Sequence, residues 1–445
     1  MPEFLDDLIQ IIRNNKEKWI RTLSGELDPG FLEHLKNLVV LNWHPLPIEE
    51  ANPPDHVMGT DGSRAARGLS NGAVWWLARS IALSRNKKRR VFESGFLPRG
   101  VTEQESQWYL TLRMEDAENQ VALKGAKELT PEAILIDGSL FGRLQHIPVE
   151  LKIPGAMDYL LIYYKNLLDL LDYCSSRKIT LVGVSKDSKV DYFTKFLFMK
   201  KVKQIAQDSE GKTSTRMLLN VLNAIMQPNN PEGATESLVE ELRSKKDRVW
   251  NNMAEILQLA SLQISDHHLM QSMVHGKGYT TPLLLSVSEH LKPTFENAFR
   301  NPDNFASMRF KKSLAASKNP GEYKENATRI LTRLRNLPSV VSFHVRLHHH
   351  DTPLRVDILG WSVGERSSVW DIMRPKEFPC DLTKIMTVLV GGYGGLQNYN
   401  IWLKRADELA RLPRETVDNL YRIAVEKELG FRIEFRRGYR RVYYP

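Results

Sequence analysis

Apolar residues recur along this chain with two different periods, and the switching between them predicts the fold. Over residues 4–23, Phe4, Leu8, Ile11, Ile12 and Trp19 fall at helical spacing, with Asp6, Asp7, Lys16 and Lys18 off that face. This predicts an amphipathic helix, packed on its own domain or against a partner. Residues 44–55 break the pattern with Pro45, Pro47, Pro53 and Pro54 and read as an extended connector. Strand-like segments then follow closely at 57–63, 73–78 and 90–93, with turns at Asn71-Gly72 and 85–88, which predicts an antiparallel meander. A helix is expected over 104–129, with Met114, Val121 and Leu129 on one face. Ala133-Ile134-Leu135-Ile136 is a run of apolar residues, partly β-branched, as in a strand buried on both faces. A helix over 156–173 and a buried strand over 178–184 come next, and this alternation predicts parallel pairing. Residues 191–337 are mostly helical in pattern, with a loop at 228–233 and basic clusters at 243–246 and 309–312. Strands return at 340–348 and 354–359, and helices at 399–412 and 415–426 close the chain before a basic, aromatic tail.

The expected fold class is therefore α/β, a mixed sheet flanked by helices with a helical elaboration. Its expected segments are an N-terminal helix and connector at 1–55, a first part of the core at 56–190, the elaboration at 191–337, and completion of the core at 338–445. At 445 residues, with 42% hydrophobic and 26% charged residues, the chain has the make-up of a globular protein with a sizeable core. No stretch approaches the roughly 20 apolar residues of a membrane span. The N-terminus lacks the basic-then-apolar pattern of a signal peptide. Two cysteines, Cys174 and Cys380, without a CxxC pair exclude a zinc-ribbon site and a disulfide framework, and the expected location is the cytoplasm. A formal net charge of +9 favours a polyanionic partner.

Chemistry enters where the strands end. Ile136-Asp137-Gly138-Ser139 closes one buried strand, and Thr60-Asp61-Gly62-Ser63 closes another. A carboxylate at the end of a central strand is held by the core yet faces the open edge of the sheet, where α/β folds place their ligands. Either segment alone reads equally well as an ordinary Asp-Gly turn. Two of them can share one divalent metal, or a pair of metals roughly 4 Å apart, of the oxygen-seeking kind such as Mg²⁺ or Mn²⁺. The helix before Asp137 adds Glu115 and Glu118, one turn apart on one face, with Ala122 at helical spacing from them. Lys186 follows the 178–184 strand, placed to neutralise a phosphate, though a lone lysine there also reads as a solvated loop residue. His344, His348, His349 and His350 cluster near a hairpin. A histidine metal site there lacks a further ligand, since 349–351 read as a turn. Asp357 alternates with apolar residues as a sheet-surface or auxiliary carboxylate, and Asp407 is one of several helix acids.

In their order and spacing these segments resemble the NurA nuclease family, whose members work with the HerA hexameric ATPase in DNA end processing. Asp61-Gly62-Ser63 resembles the family's first acidic motif. The Met114-Glu115 to Ala122-Leu123 helix followed by Ile136-Asp137-Gly138-Ser139-Leu140 is similar to the second and third. Val182-Gly183-Val184-Ser185-Lys186-Asp187-Ser188 resembles its lysine segment, and Ser265-Asp266 before Gly278-Tyr279 a later motif. The resemblance implies an RNase H-like mixed sheet, a homodimer, a HerA-like ATPase partner and Mn²⁺- or Mg²⁺-dependent cleavage of DNA. It implies Asp61, Glu115, Asp137 and Asp407 as ligands of two metals, with Glu118 the alternative to Glu115, and Lys186 as the cation facing the phosphate. The chain departs from the family where Gly392-Tyr393 is followed by Gly394 and where Asp407 follows Ala406 in place of histidine. Lys87, Lys88, Arg89, Arg436, Arg437, Arg440 and Arg441 are expected to track the DNA backbone without reading sequence. The alternatives are a non-catalytic DNA-binding adaptor of a motor ATPase, and a nuclease acting on RNA or hybrids.

Overall fold

Residues 2–24, 29–186, 188–209, 214–226 and 234–436 are described by a computed structural model of the protein. Arg437, Arg440, Arg441, Asp187 and the loop expected at 228–233 lie outside the described residues. The strands are β1 (Trp43–His44), β2 (Val57–Gly68), β3 (Val74–Ser84), β4 (Lys87–Leu97), β5 (Ala133–Asp137), β6 (Thr180–Ser185), β7 (Gly278–Thr280), β8 (Leu283–Leu284), β9 (Val340–Arg346), β10 (Leu354–Leu359) and β11 (Lys376–Glu377). They form one mixed sheet in the order β1-β7-β9-β10-β6-β5-β2-β3-β4, with β8 on β9 and β11 on β8. Helices flank the sheet, and the fold is α/β as the periodicity predicts. No helix among the described residues is long and apolar enough to cross a membrane.

Contacts divide the chain into two discontinuous units. The larger spans 46–185, 282–343 and 356–445. In it, β2, β3 and β4 form the expected antiparallel meander, with Gly62 opposite Ser80 and Ala78 opposite Glu93. β5 lies parallel to β2, with Thr60 opposite Ile136, and β6 lies parallel to β5, with Asp137 opposite Val184. Parallel strands need long crossovers, which the helices Glu103–Leu129 and Tyr159–Ser176 supply. The first of these starts at Thr102, whose hydroxyl accepts from the Glu105 amide while Glu105 reaches back to the Thr102 amide, a closed capping box. It stops at Thr130, which takes a left-handed conformation (φ 46°) just before Pro131. β5 contributes Ala133, Ile134, Leu135 and Ile136, all but fully buried, to the core under both layers of helices.

The smaller unit comprises 1–45, 186–281 and 344–355. It holds the helices Tyr192–Gln207, Thr215–Met226, Ala234–Ser244, Arg248–Ser261 and Asp266–Met273, together with β1 and β7. Asp266, fully buried, accepts from the Phe193 and Thr194 amides at 3.0 and 2.7 Å and so satisfies the first turn of the Tyr192–Gln207 helix. The N-terminal helix Pro2–Ser24 forms as the periodicity predicts, but its apolar face is open. Phe4 is 78% exposed, Leu8 47% and Ile11 49%, so the expectation that this face packs on its own domain does not hold.

His344 lies buried in β9, whereas the rings of His348, His349 and His350 stack on one another, with centroids 4.2 Å apart for the first pair and 4.5 Å for the second. Among the described residues no group of three side chains there could hold a metal ion.

Candidate active site

Register builds the centre of the site. Since Thr60 of β2 pairs with Ile136 of β5, the next residues along these parallel strands, Asp61 and Asp137, stand side by side. Neighbouring strands run about 4.8 Å apart. Asp61 is buried, 7% exposed, and its Oδ1 accepts from the Gly62 amide at 2.8 Å. Asp137 accepts from the Tyr399 hydroxyl at 3.2 Å.

The serines of the two Asp-Gly-Ser segments hold the frame. Ser63 Oγ accepts from the Leu412 amide at 3.2 Å. Ser139 caps the short helix Leu140–Arg143 and donates to Asp357 Oδ2 at 2.7 Å. Asp357 also accepts from the Phe141 amide at 3.2 Å and is fully buried. It is therefore a buttress of the turn after Asp137, not a residue of the sheet surface.

The helix Glu103–Leu129 crosses beneath these strand ends and brings Glu118 to Gly62. A Cβ on Gly62 would stand 2.5 Å from Glu118 Oε1, so a side chain there would push Glu118 from this position. Glu118 is buried and forms an ion pair with Arg143, itself buried. Arg143 also donates to the Glu115 carbonyl at 3.1 Å and to Asn119 Oδ1 at 3.2 Å. Glu115 turns elsewhere. Its Oε2 lies 2.8 Å from His146 Nε2 and accepts from the Tyr163 hydroxyl at 2.8 Å. Asp407, on the helix Ile401–Ala410, is half-buried and pairs with Arg411 at 3.1 Å. Lys186 is exposed and directly follows β6, as the first residue of its segment of the smaller unit.

The electrostatics separate these groups. Burial, and then the charges of Glu118 and Asp137, push Asp61 up to about 8, with Asp407 adding to the effect against the pull of the Gly62 amide. Burial likewise raises Glu118, to about 7, against the pull of Arg143. Burial acts upward on Glu115 too, but His146, Arg143 and Tyr163 together outweigh it and hold that carboxyl below its ordinary value. Glu118, Asp137 and Asp407 thus act on Asp61, Glu115 and then Asp137 act on Glu118, and Glu115 itself is held ionised by His146, Arg143 and Tyr163. Arg143, His146, Tyr163 and Tyr399 are absent from the expectations drawn from sequence, since each acts through a contact between distant segments.

Carboxylate oxygens are the donors that hard divalent cations prefer, so the set fits such an ion in kind. A cation beside Asp61 removes the penalty that burial and like charge impose on its ionised form. Among the described residues no three side chains stand arranged to hold an ion as they are, with Glu118 turned to Arg143.

No protein of curated function matches the sequence. Among solved structures, the crystal structure of the NurA nuclease from Sulfolobus solfataricus is similar at 13% identity, over 97% of this chain and 98% of that one, with a TM-score of 0.51. A crystal structure of NurA bound to dAMP and manganese is 15% identical over 92% of this chain and 96% of that one, with a TM-score of 0.44. A family profile described as NurA domain matches residues 55–412. This chain belongs to the NurA family.

Proposed function

We propose that this chain is a metal-dependent nuclease that hydrolyses phosphodiester bonds at DNA ends. The observation that carries the reading is the placement of Asp61 beside Asp137 at the ends of two parallel strands, with Glu118 and Asp407 acting on Asp61. Asp61, Asp137, Glu118 and Asp407 are the residues that would hold Mn²⁺ or Mg²⁺, and Glu118 replaces Glu115 as the preferred glutamate. Such ions lower the pKa of an attacking water and neutralise a leaving oxygen. The protein's own part is to hold the carboxylates. Tyr399 orients Asp137, Arg143 fixes Glu118, and Ser139 with Asp357 sets the turn that carries Asp137. His146 and Tyr163 keep Glu115 ionised and anchored beside Arg143. Lys186 is assigned to offset phosphate charge. Lys87 and Lys88, exposed on β4, extend along the DNA backbone. Arg89 is tied to Glu128 and contributes less.

A homodimer, a HerA-like hexameric ATPase partner, an RNase H-like description of the core and a cytoplasmic location complete the reading and rest on the family. The open apolar face of the Pro2–Ser24 helix supports a protein contact there. The free cysteines Cys174 and Cys380 fit a reducing compartment.

The experiment is cleavage of end-labelled single-stranded, double-stranded and hybrid substrates in Mn²⁺, Mg²⁺ and EDTA. Metal-dependent shortening of DNA from its ends is expected. Binding without cutting in every metal would leave only the adaptor role, and cleavage confined to hybrids would move the substrate class.

A further inference from the structure

A cavity of about 1050 Å³ lies within the larger unit and shares no residue with the carboxylate cluster. Trp361, at its wall, donates from Nε1 to the Ile179 carbonyl at 3.4 Å, just before β6 begins. Asp137 pairs with Val184 near the other end of the same strand. Five residue steps separate Ile179 from Val184, about 16 Å. The cavity therefore opens away from the strand ends that carry Asp61 and Asp137.

We propose that this cavity is a second nucleotide site, taking either a free mononucleotide or the terminal nucleotide of a DNA strand. Its lining combines flat apolar surface with unpaired positive charge. Trp361 and Phe299 are half-buried there, and Trp370 behind them is fixed. Trp370 packs on Phe295 and Phe299 with centroids 4.7 and 5.7 Å apart and donates from Nε1 to the Leu334 carbonyl at 2.7 Å. Rigid aromatic faces of this kind stack on bases without regard to sequence.

Lys292, Arg335 and Arg366 line the same space, and among the described residues none of them pairs with a carboxylate. The acids of the wall are engaged elsewhere. Glu296 pairs with Arg300 at 3.4 Å and Asp172 with Arg333 at 2.8 Å. Asp371 accepts from the Ser368 amide at 2.9 Å, and Glu365 from the Ser367 amide at 2.7 Å. Lys292, Arg335 and Arg366 thus make no direct contact with these carboxylates, and a phosphate attached to a planar base meets both halves of the wall at once. The volume suits a ligand of that size. The inference stands independently of the nuclease reading, because the site needs no metal.

The test is a titration of the full chain in EDTA with dAMP, with a short 5′-phosphorylated single strand, and with inorganic phosphate. It is followed by tryptophan fluorescence and calorimetry. Saturable dAMP binding is expected, weakened about tenfold by Trp361→Leu and weakened also by Arg335→Ala with Arg366→Ala. Tighter binding of the strand identifies a strand-end site, and equal binding a free-nucleotide site. Absence of saturation, inorganic phosphate binding as tightly as dAMP, or wild-type affinity in the variants overturns the proposal. Arg335 and Arg366 are exposed, so the double variant remains informative even if Trp361→Leu fails to fold.

Discussion

At the scale of single residues, Asp61 carries the argument, because its position is costly for a protein without metal. A carboxyl pushed up to about 8 is mostly protonated at neutral pH, and asparagine mimics that form closely. Asp61→Asn is therefore expected to keep or raise the stability of the metal-free protein, to lose the stabilisation given by Mn²⁺, and to abolish cleavage. Unfolding midpoints with and without Mn²⁺, beside single-turnover cleavage, check all three, and full cleavage by the variant would remove Asp61 from the site. The two glutamates give a paired test. Glu118→Gln takes from buried Arg143 its ion-pair partner and should destabilise the chain as well as weaken Mn²⁺ binding. Glu115→Gln should retain the Mn²⁺-induced shift, and an Mn²⁺ response lost only in Glu115→Gln would reverse the assignment. Both aspartates were legible in the sequence, since each closes an apolar run with the same Asp-Gly-Ser. The choice between Glu115 and Glu118 was not. They are one turn apart on one face, and spacing alone ranks them equally. In the fold Gly62 lets Glu118 come close to the end of β2, and that approach belongs to the packing of helix on strand. Arg143 was hidden for the same reason, as its partner lies 25 residues away.

At the scale of elements, the helix Ile401–Ala410 must lie close against β2 for Asp407 to influence Asp61. Gly59, two residues before Asp61, permits this, because a Cβ there would meet the Trp402 carbonyl oxygen at 2.5 Å. Backbone cannot swing aside as a side-chain tip can, so Gly59→Ala should displace the helix. The expected cost is about 1–3 kcal/mol of stability, with a loss of cleavage larger than any loss of DNA binding. Denaturant titration and single-turnover kinetics on the same variant check it, and an unchanged midpoint would show that the helix is not seated there. The meander, β5 and the crossover helices were legible because each has enough residues to display its period. β7 and β8 were not, with three and two residues inside a stretch otherwise helical in pattern. The division into two discontinuous units was equally out of reach, since it depends on contacts between segments hundreds of residues apart. The N-terminal helix shows the remaining gap, for an amphipathic pattern announces an apolar face without saying what covers it.

At the scale of the whole molecule, stability should depend on pH in a way set by buried carboxyls and one buried histidine. Asp61 at about 8, and Asp116 and Asp266 at about 6, are all raised, chiefly by burial. A carboxyl whose folded pKa exceeds its unfolded value near 4 binds more protons in the native state between the two values. Its stabilisation is full below about 4 and fades as pH rises through the folded value. His344 acts in the opposite sense. Burial, followed by the charge of Arg355, lowers it to about 3 and keeps it neutral, so its contribution is complete above the ordinary histidine value of 6.5 and is lost as pH falls toward 3. Between pH 6.5 and 8.5 Asp116 and Asp266 have nearly finished titrating, and His344 completes its small opposite contribution over the first unit. Asp61 dominates that window, with Glu118 acting in the same direction. In EDTA, unfolding free energy should therefore fall by about 1–2 kcal/mol across the window. Asp61→Asn should flatten most of that fall. Saturating Mn²⁺ should reverse it, since ligation requires the deprotonated carboxylate and metal affinity rises as protons leave. Denaturant titrations at several pH values, with EDTA and then Mn²⁺, measure each slope. A wild-type slope of zero in EDTA, or the same slope in Asp61→Asn, would mean that Asp61 is already ionised without metal, and the electrostatic case for a cation at this site would fail.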